Sequence, residues 1–174
     1  VRERNLNLNF KKEFLIHLDG DIHFKWSRKY KEYLLKIFMN KNKLKLISFQ
    51  MTRCCTGHKI RNNFFQLSGK ILKKSEMISN TRKNIQWLRS KLKDKVKFAI
   101  ENNNYYPFKP YKVIADPEFI SEIVNKNRIN FLFDIAHAKV SANNMKVPFL
   151  NYIDKLPMKK IIQIHICKPQ ISNK

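Results

Sequence analysis

Apolar residues recur along the chain in two alternating rhythms. Tyr30, Tyr33, Leu34, Ile37 and Phe38 repeat at helical spacing, and Leu44, Leu46, Ile47 and Phe49 then crowd into a short run that ends at Gln50. Ser75 can cap a second helix whose apolar face is Ile78, Ile85, Leu88 and Leu92, followed by a strand Val96–Ile100 that ends at Glu101. Asp116-Pro117 is an N-cap followed by a helix-starting proline, leading into Phe119, Ile120, Ile123 and Val124. A strand, Ile129–Phe133, then ends at Asp134. Pro148 opens another short helix through Tyr152 and Ile153, before a strand Ile161–Ile164 that ends at His165. Ahead of all these, Phe14-Leu15-Ile16 runs into His17 as a fifth strand ending in a polar group.

Helix and strand therefore alternate, and the near-continuous apolar strands predict a parallel sheet buried on both faces. Three of the four intervals between the strand-ending groups are 31 to 33 residues, the length of one βα unit. The fourth is 51 residues and holds a Cys-, His- and Asn-containing insertion, Thr52–Leu72, predicted as a loop on the side where the strands end. With only 3 Gly there are few signals for the tight turns a sandwich needs. The expected fold is α/β, a TIM-barrel-like (β/α) repeat in one domain spanning 1–174. A full (β/α)8 barrel takes about 250 residues. The 174 present predict an incomplete barrel that lacks the first and last strands and has open edges for another chain or missing residues to cover. The chain also starts at Val1, as a fragment would.

Composition narrows the field. A hydrophobic fraction of 43% excludes general disorder. No segment approaches the roughly 20 apolar residues of a membrane span, and Val1–Phe10 is too polar for a signal h-region, so the expected location is the cytoplasm. Three cysteines, Cys54, Cys55 and Cys167, form no disulfide framework. Cys54 and Cys55 with His58 lack zinc-finger spacing and read as free thiols. The net charge of +23 raises nucleic acid as a partner. However, Lys is spread through every segment beside abundant Asn and Ile, and the densest stretches, Lys41–Lys45 and Arg89–Lys97, fall between a helix and the next strand. The basic surface is read as compositional, with nucleic acid the less favoured partner.

In parallel α/β sheets, ligands gather at the carboxyl ends of the strands, and here those ends carry His17, Gln50, Glu101, Asp134 and His165. Imidazole and carboxylate together suit iron, manganese or zinc. Each residue also has a plainer role open to it. A strand-end His can be a hydrogen-bonded rim residue, Glu101 can cap the Asn102–Asn104 turn, and Asp134 can accept from nearby amides. Asp134-Ile135-Ala136-His137 adds a second ligand type three residues past a strand end.

The runs Glu101-Asn102-Asn103-Asn104-Tyr105-Tyr106-Pro107, Asp116-Pro117-Glu118-Phe119, Phe131-Leu132-Phe133-Asp134-Ile135-Ala136-His137-Ala138, Ser141-Ala142-Asn143, Tyr152-Ile153-Asp154-Lys155-Leu156-Pro157 and Ile162-Gln163-Ile164-His165 resemble one family in order and spacing. It is the multinuclear non-heme iron-dependent oxidative enzymes, xylose-isomerase-like TIM barrels related to the methanobactin-maturing oxygenase. The resemblance is strongest from about Lys97 to Pro169. It implies two or three iron ions at the barrel mouth, with molecular oxygen as co-substrate. It also implies oxidative modification of cysteine or nearby residues in a ribosomally made precursor peptide presented by a leader-binding partner. Carried over by position, Glu101, Asp134 and His165 match metal ligands, His137 falls where members carry Asn or His, and His17 matches an early-strand histidine. Asn102 and Asn143 become substrate-binding positions. Gln50 stands where the family usually has a histidine.

Two other readings stay open. One is a divalent-metal sugar isomerase or apurinic endonuclease of the same barrel superfamily; the other is a catalytically inactive basic binding module, which Gln50 and the short chain favour.

Overall fold

The computed structural model describes residues 14–39, 44–92 and 95–166. Cys167, the Val1–Phe10 segment and residues 41–43 of the first basic stretch lie outside them. Five strands, β1 (Phe14–Asp21), β2 (Leu44–Gln50), β5 (Lys97–Glu101), β6 (Asn130–Asp134) and β7 (Ile161–His165), form one sheet in the order β1-β2-β5-β6-β7. Every pairing is parallel, so each connection crosses over through helix. These helices are α1 (Arg28–Met39), α2 (Lys74–Lys91), the short α3 (Lys109–Lys112), α4 (Pro117–Asn127), α5 (Ile135–Met145) and α6 (Phe149–Ile153). The sheet is an open arc, and among the described residues it does not close into a barrel.

Alternation along the strands sorts side chains onto two faces. Ile16, Leu18, Ile47, Phe49, Phe98, Ile100, Phe131 and Phe133 face the helices, where they meet Leu34, Ile85, Leu88, Phe119 and Ile123 in a continuous core. A fully buried side chain of this size contributes roughly 1.5–3 kcal/mol. On the opposite face Leu46, Ala99 and Leu132 form a small apolar layer with Ile162. One step further toward the strand ends, that same face turns polar.

Helix ends follow local chemistry. The Asp116 carboxylate accepts the Glu118 amide with Pro117 in the first turn, as the sequence predicts. Arg128 and Lys146 end α4 and α5 in the left-handed region, at φ 50° and 57°. Ser75 does not cap α2: the helix starts earlier, and the Glu76 carboxylate accepts the Lys73 amide at 3.0 Å. β1 also differs from expectation. It continues four residues past His17 to Asp21, with a register irregularity between Leu18 and Asp21, so His17 sits within the strand. At Gly20 the ring of Tyr30 lies where a Cβ would be, which explains the glycine.

The Thr52–Leu72 insertion contains an antiparallel hairpin, β3 (Lys59–Arg61) and β4 (Phe64–Gln66). Asn62 and Asn63 turn it with φ of 49° and 64°, the two successive left-handed residues of a type I′ turn, so asparagine does here what glycine usually does. The hairpin is held to the rim by Phe65, whose amide donates to the Tyr111 hydroxyl at 2.8 Å, and by Phe64, packed against Tyr106 and Phe108. Burial pushes the Tyr111 hydroxyl pKa up.

Candidate metal centre

In a flat sheet, β1 and β7 would stand about 19 Å apart across four strand spacings. The ring centroids of His17 on β1 and His165 on β7 are 5.8 Å apart. The arc is thus curved enough to bring its two edge strands to one point, and Glu101 on the central strand β5 fills the gap. Its Oε2 lies 3.2 Å from His17 Nε2 and its Oε1 2.9 Å from His165 Nδ1. Asp134 ends β6 beside it, with Oδ2 3.8 Å from His165 Nδ1. His137, one turn into α5, places Nδ1 3.8 Å from both Glu101 Oε1 and Asp134 Oδ2. Glu101, Asp134 and His137 each offer one ligand atom within 4.8 Å of the other two. All five histidine and carboxylate positions singled out in the sequence therefore meet.

Asn102 explains how the two carboxylates keep their relation. Its side-chain oxygen accepts the Asp134 amide at 2.8 Å and its Nδ2 donates to the Asp134 carbonyl at 2.9 Å, stitching the end of β5 to the end of β6. Its own carbonyl accepts from His137 Nδ1 at 2.8 Å, which places a proton on that nitrogen and makes Nε2 the one that can serve as a ligand once it is deprotonated. Asp134 further accepts the His137 amide at 2.9 Å and so caps α5. The sequence suggested a substrate-binding Asn102; here its amide is committed to Asp134. Asn143 is exposed in the third turn of α5 and shares none of these hydrogen bonds. Its neighbours Ser141 and Asn144 bond to Tyr105 and fix the Asn102–Tyr106 loop.

Two glutamines complete the shell. Gln50 Nε2 lies 3.2 Å from His17 Nε2, and Gln163 Nε2 lies 3.1 Å from His165 Nε2. Gln163 escaped the sequence reading, although its position two residues before His165 puts it on the same strand face. Its Oε1 is buried without a partner among the described residues. Ser48, next along this face, holds His17 Nδ1 at 2.9 Å.

The electrostatics are those of a site built for a cation. Burial alone would raise the Glu101 pKa, but hydrogen bonds from His165 and His17, with the charges of His17 and His137, outweigh it and hold the carboxyl at about 2. Among the described residues no Lys or Arg pairs with Glu101 or Asp134; their ionic partners are imidazoles. Two buried carboxylates and three histidines, offset only by groups that can lose a proton, fit a first-row divalent ion by donor chemistry. The Gln163 side chain, whose oxygen has no partner among the described residues, adjoins the other nitrogen of His165.

A third carboxylate with a buried side chain lies at the end of β1. Asp21 Oδ1 accepts the Thr52 amide at 2.5 Å, and Oδ2 accepts the Thr52 hydroxyl at 2.7 Å and Arg53 Nη1 at 3.0 Å. His23, fully buried beside it, bonds through Nε2 to the Arg53 carbonyl, and burial lowers its pKa. Cys54 and Cys55 are free thiols that donate to the carbonyls of Lys109 and Gln66, while His58 is exposed against Phe65.

A family model described as RiPP precursor modification enzyme MbnB/TglH/ChrH matches residues 34–171. Among solved structures, 3-keto-D-glucoside 4-epimerase YcjR from E. coli, in its apo form, superposes with a TM-score of 0.55 at 12% identity over 90% of this chain. A D-tagatose 3-epimerase-like protein superposes with a TM-score of 0.51 at 16% identity, also over 90% of this chain. The shared fold is the xylose-isomerase-like TIM barrel. The chain spans 59% and 57% of the length of these two proteins. No curated protein matches it.

Proposed function

Because the chain belongs to the MbnB/TglH/ChrH family of RiPP precursor modification enzymes, we propose that it forms the metal-binding part of an iron-dependent oxidative enzyme. Its substrate would be cysteine or a neighbouring residue of a ribosomally made precursor peptide. The observation that carries this reading is the convergence of His17, His137 and His165 on Glu101 and Asp134 from both edges and the middle of one arc. Glu101, Asp134, His137 and His165 would hold the first ion, and His17 with Glu101 a second; the family implies two or three. Bound iron would supply the redox chemistry that uses molecular oxygen. Asn102 keeps Asp134 at its distance from Glu101 and fixes which His137 nitrogen carries the proton. Gln50 is a weaker donor than the histidine usual there, so the His17 side is the less firmly held. A leader-binding partner and further barrel strands would complete the groove over the site. We place the protein in the cytoplasm, where the free thiols of Cys54 and Cys55 stay reduced. Among the described residues no helix is long and apolar enough to cross a membrane.

The test is anaerobic reconstitution with equal iron, zinc and manganese, then elemental analysis and exposure to oxygen with a Cys-containing precursor peptide from a neighbouring reading frame. Iron retained above the other metals, with an oxygen-dependent mass change in the peptide, is the expected result. Zinc or manganese retained with no peptide change would move the assignment to the sugar-isomerase or endonuclease class, and no metal at all to a binding module.

A further inference from the structure

Arg53 is 8% exposed and plays no part in the cluster around Glu101. Its guanidinium lies between the rings of Phe24 and Phe65, with Cζ 4.9 and 4.8 Å from their centroids. Nε donates to the Gly57 carbonyl at 2.8 Å, and Nη1 to Asp21 and to the Thr52 hydroxyl. Nη2 has no partner among the described residues and is not a buried atom. The side chain lines an open cleft of about 410 Å³ at the carboxyl end of β1. Lys25 and Trp26 line the same cleft, as does Ser27, whose hydroxyl accepts the Tyr30 amide at the start of α1. The first turn of α1 contains no acidic residue.

We propose that this cleft is a carboxylate subsite for the precursor peptide, with Arg53 Nη2 and Lys25 as the donors; the identity of the ligand as a peptide rests on the function proposed above. Three features select a carboxylate. The guanidinium is packed against two rings and hydrogen-bonded through Nε and Nη1, so its remaining edge is set before a ligand arrives. Asp21 already receives three hydrogen bonds, one of them from Nη1, which leaves Nη2 as the unused end of the ion pair. The start of α1 adds partial positive charge on the same wall. Asp19 and Asp21 also line the cleft and balance Lys25 and Arg53 in formal charge, which disfavours a doubly charged phosphate.

The experiment is an NMR titration of the chelator-treated full chain, following the Arg53 Nε and Trp26 Nε1 resonances. The probes are N-acetylglutamate N-methylamide, its glutamine counterpart, N-acetylalanine and inorganic phosphate. The expected result is binding of a carboxylate about tenfold tighter than of the neutral glutamine derivative. Lys25→Glu should weaken it at least fivefold and Arg53→Lys at least tenfold. Lys25 is exposed, so its variant answers even where the Arg53 variant fails to fold. A response to the glutamate derivative assigns an internal acidic residue, and one to N-acetylalanine assigns a chain-terminal carboxylate. Equal affinity for the acid and its amide, tighter binding of phosphate, no shift with any probe, or unchanged binding in Lys25→Glu would overturn the proposal. The protein is metal-free throughout, so these failures leave the iron reading intact. A chain that binds the carboxylate yet takes up no iron would overturn the iron reading alone.

Discussion

Glu101 and Asp21 are both buried carboxylates at the carboxyl rim of one sheet, and they are compensated in opposite ways. Asp21 faces Arg53, a permanent cation, and its two oxygens collect a backbone amide and a hydroxyl as well. Glu101 faces three imidazoles and no permanent cation among the described residues. A guanidinium cannot give up its proton, so the Asp21 pair is closed to exchange. Imidazoles can release theirs, so on the function proposed above a metal ion takes the place of the positive charge around Glu101. What separates a structural ion pair from a candidate metal centre here is therefore the kind of cation supplied, since burial is the same in both.

The contrast breaks most completely if metal binding fails to follow it. Glu101→Ala or Asp134→Ala should abolish iron uptake, and His165→Ala or His137→Ala should reduce it more than His17→Ala, measured as iron per chain. Full iron in both carboxylate variants would end the distinction. The converse holds at the other pair: Asp21→Asn should leave metal content unchanged but cost about 3–5 kcal/mol in urea unfolding, because Arg53 stays buried without its partner.

Acid should separate the two regions by pH. Glu101 is depressed from 4.5 to about 2, so the unfolded chain binds the extra proton between those values. The stabilisation, on the order of 3 kcal/mol, is complete above pH 4.5 and lost as pH falls toward 2. His23, beside Asp21, is depressed below 6.5 by burial, so its contribution is lost first, as pH falls below 6.5. Stability curves of Glu101→Gln and His23→Asn should each lack one of these two declines. If either variant keeps both, the assignment of that decline is wrong. The smallest effect lies in the hairpin that carries Phe65 to Arg53. Asn63→Gly relieves a side chain held at φ 64° and should change stability by less than about 1 kcal/mol, visible as a small shift in thermal midpoint.

The sheet and its rim are legible because largely apolar runs of three to six residues ending in polar groups mark buried parallel strands. Glu101, Asp134 and His165 stand where that rule puts them. β1 extends beyond the polar His17 that marks its end in the sequence, because pairing with β2 carries the strand on to Asp21. The hairpin leaves little trace in the sequence because its left-handed turn uses Asn62-Asn63 where such turns usually carry glycine. Arg53, Asn102 and Gln163 were missed as organising residues for a different reason. Each acts through a partner 32 residues away or through a face that only the folded register defines, and a linear sequence carries no mark of either.

The meeting of His17 and His165 across Glu101 also ties together two strands that share no backbone hydrogen bond. Edge strands ordinarily fray independently, each with its own local opening free energy. Here one carboxylate holds both edges like a string across a bow, so loosening one end should be felt at the other. His17→Ala is expected to speed amide hydrogen exchange not only in residues 14–21 but also in 161–165, at the far side of the sheet. Faster exchange confined to 14–21 would show that the two edges open separately.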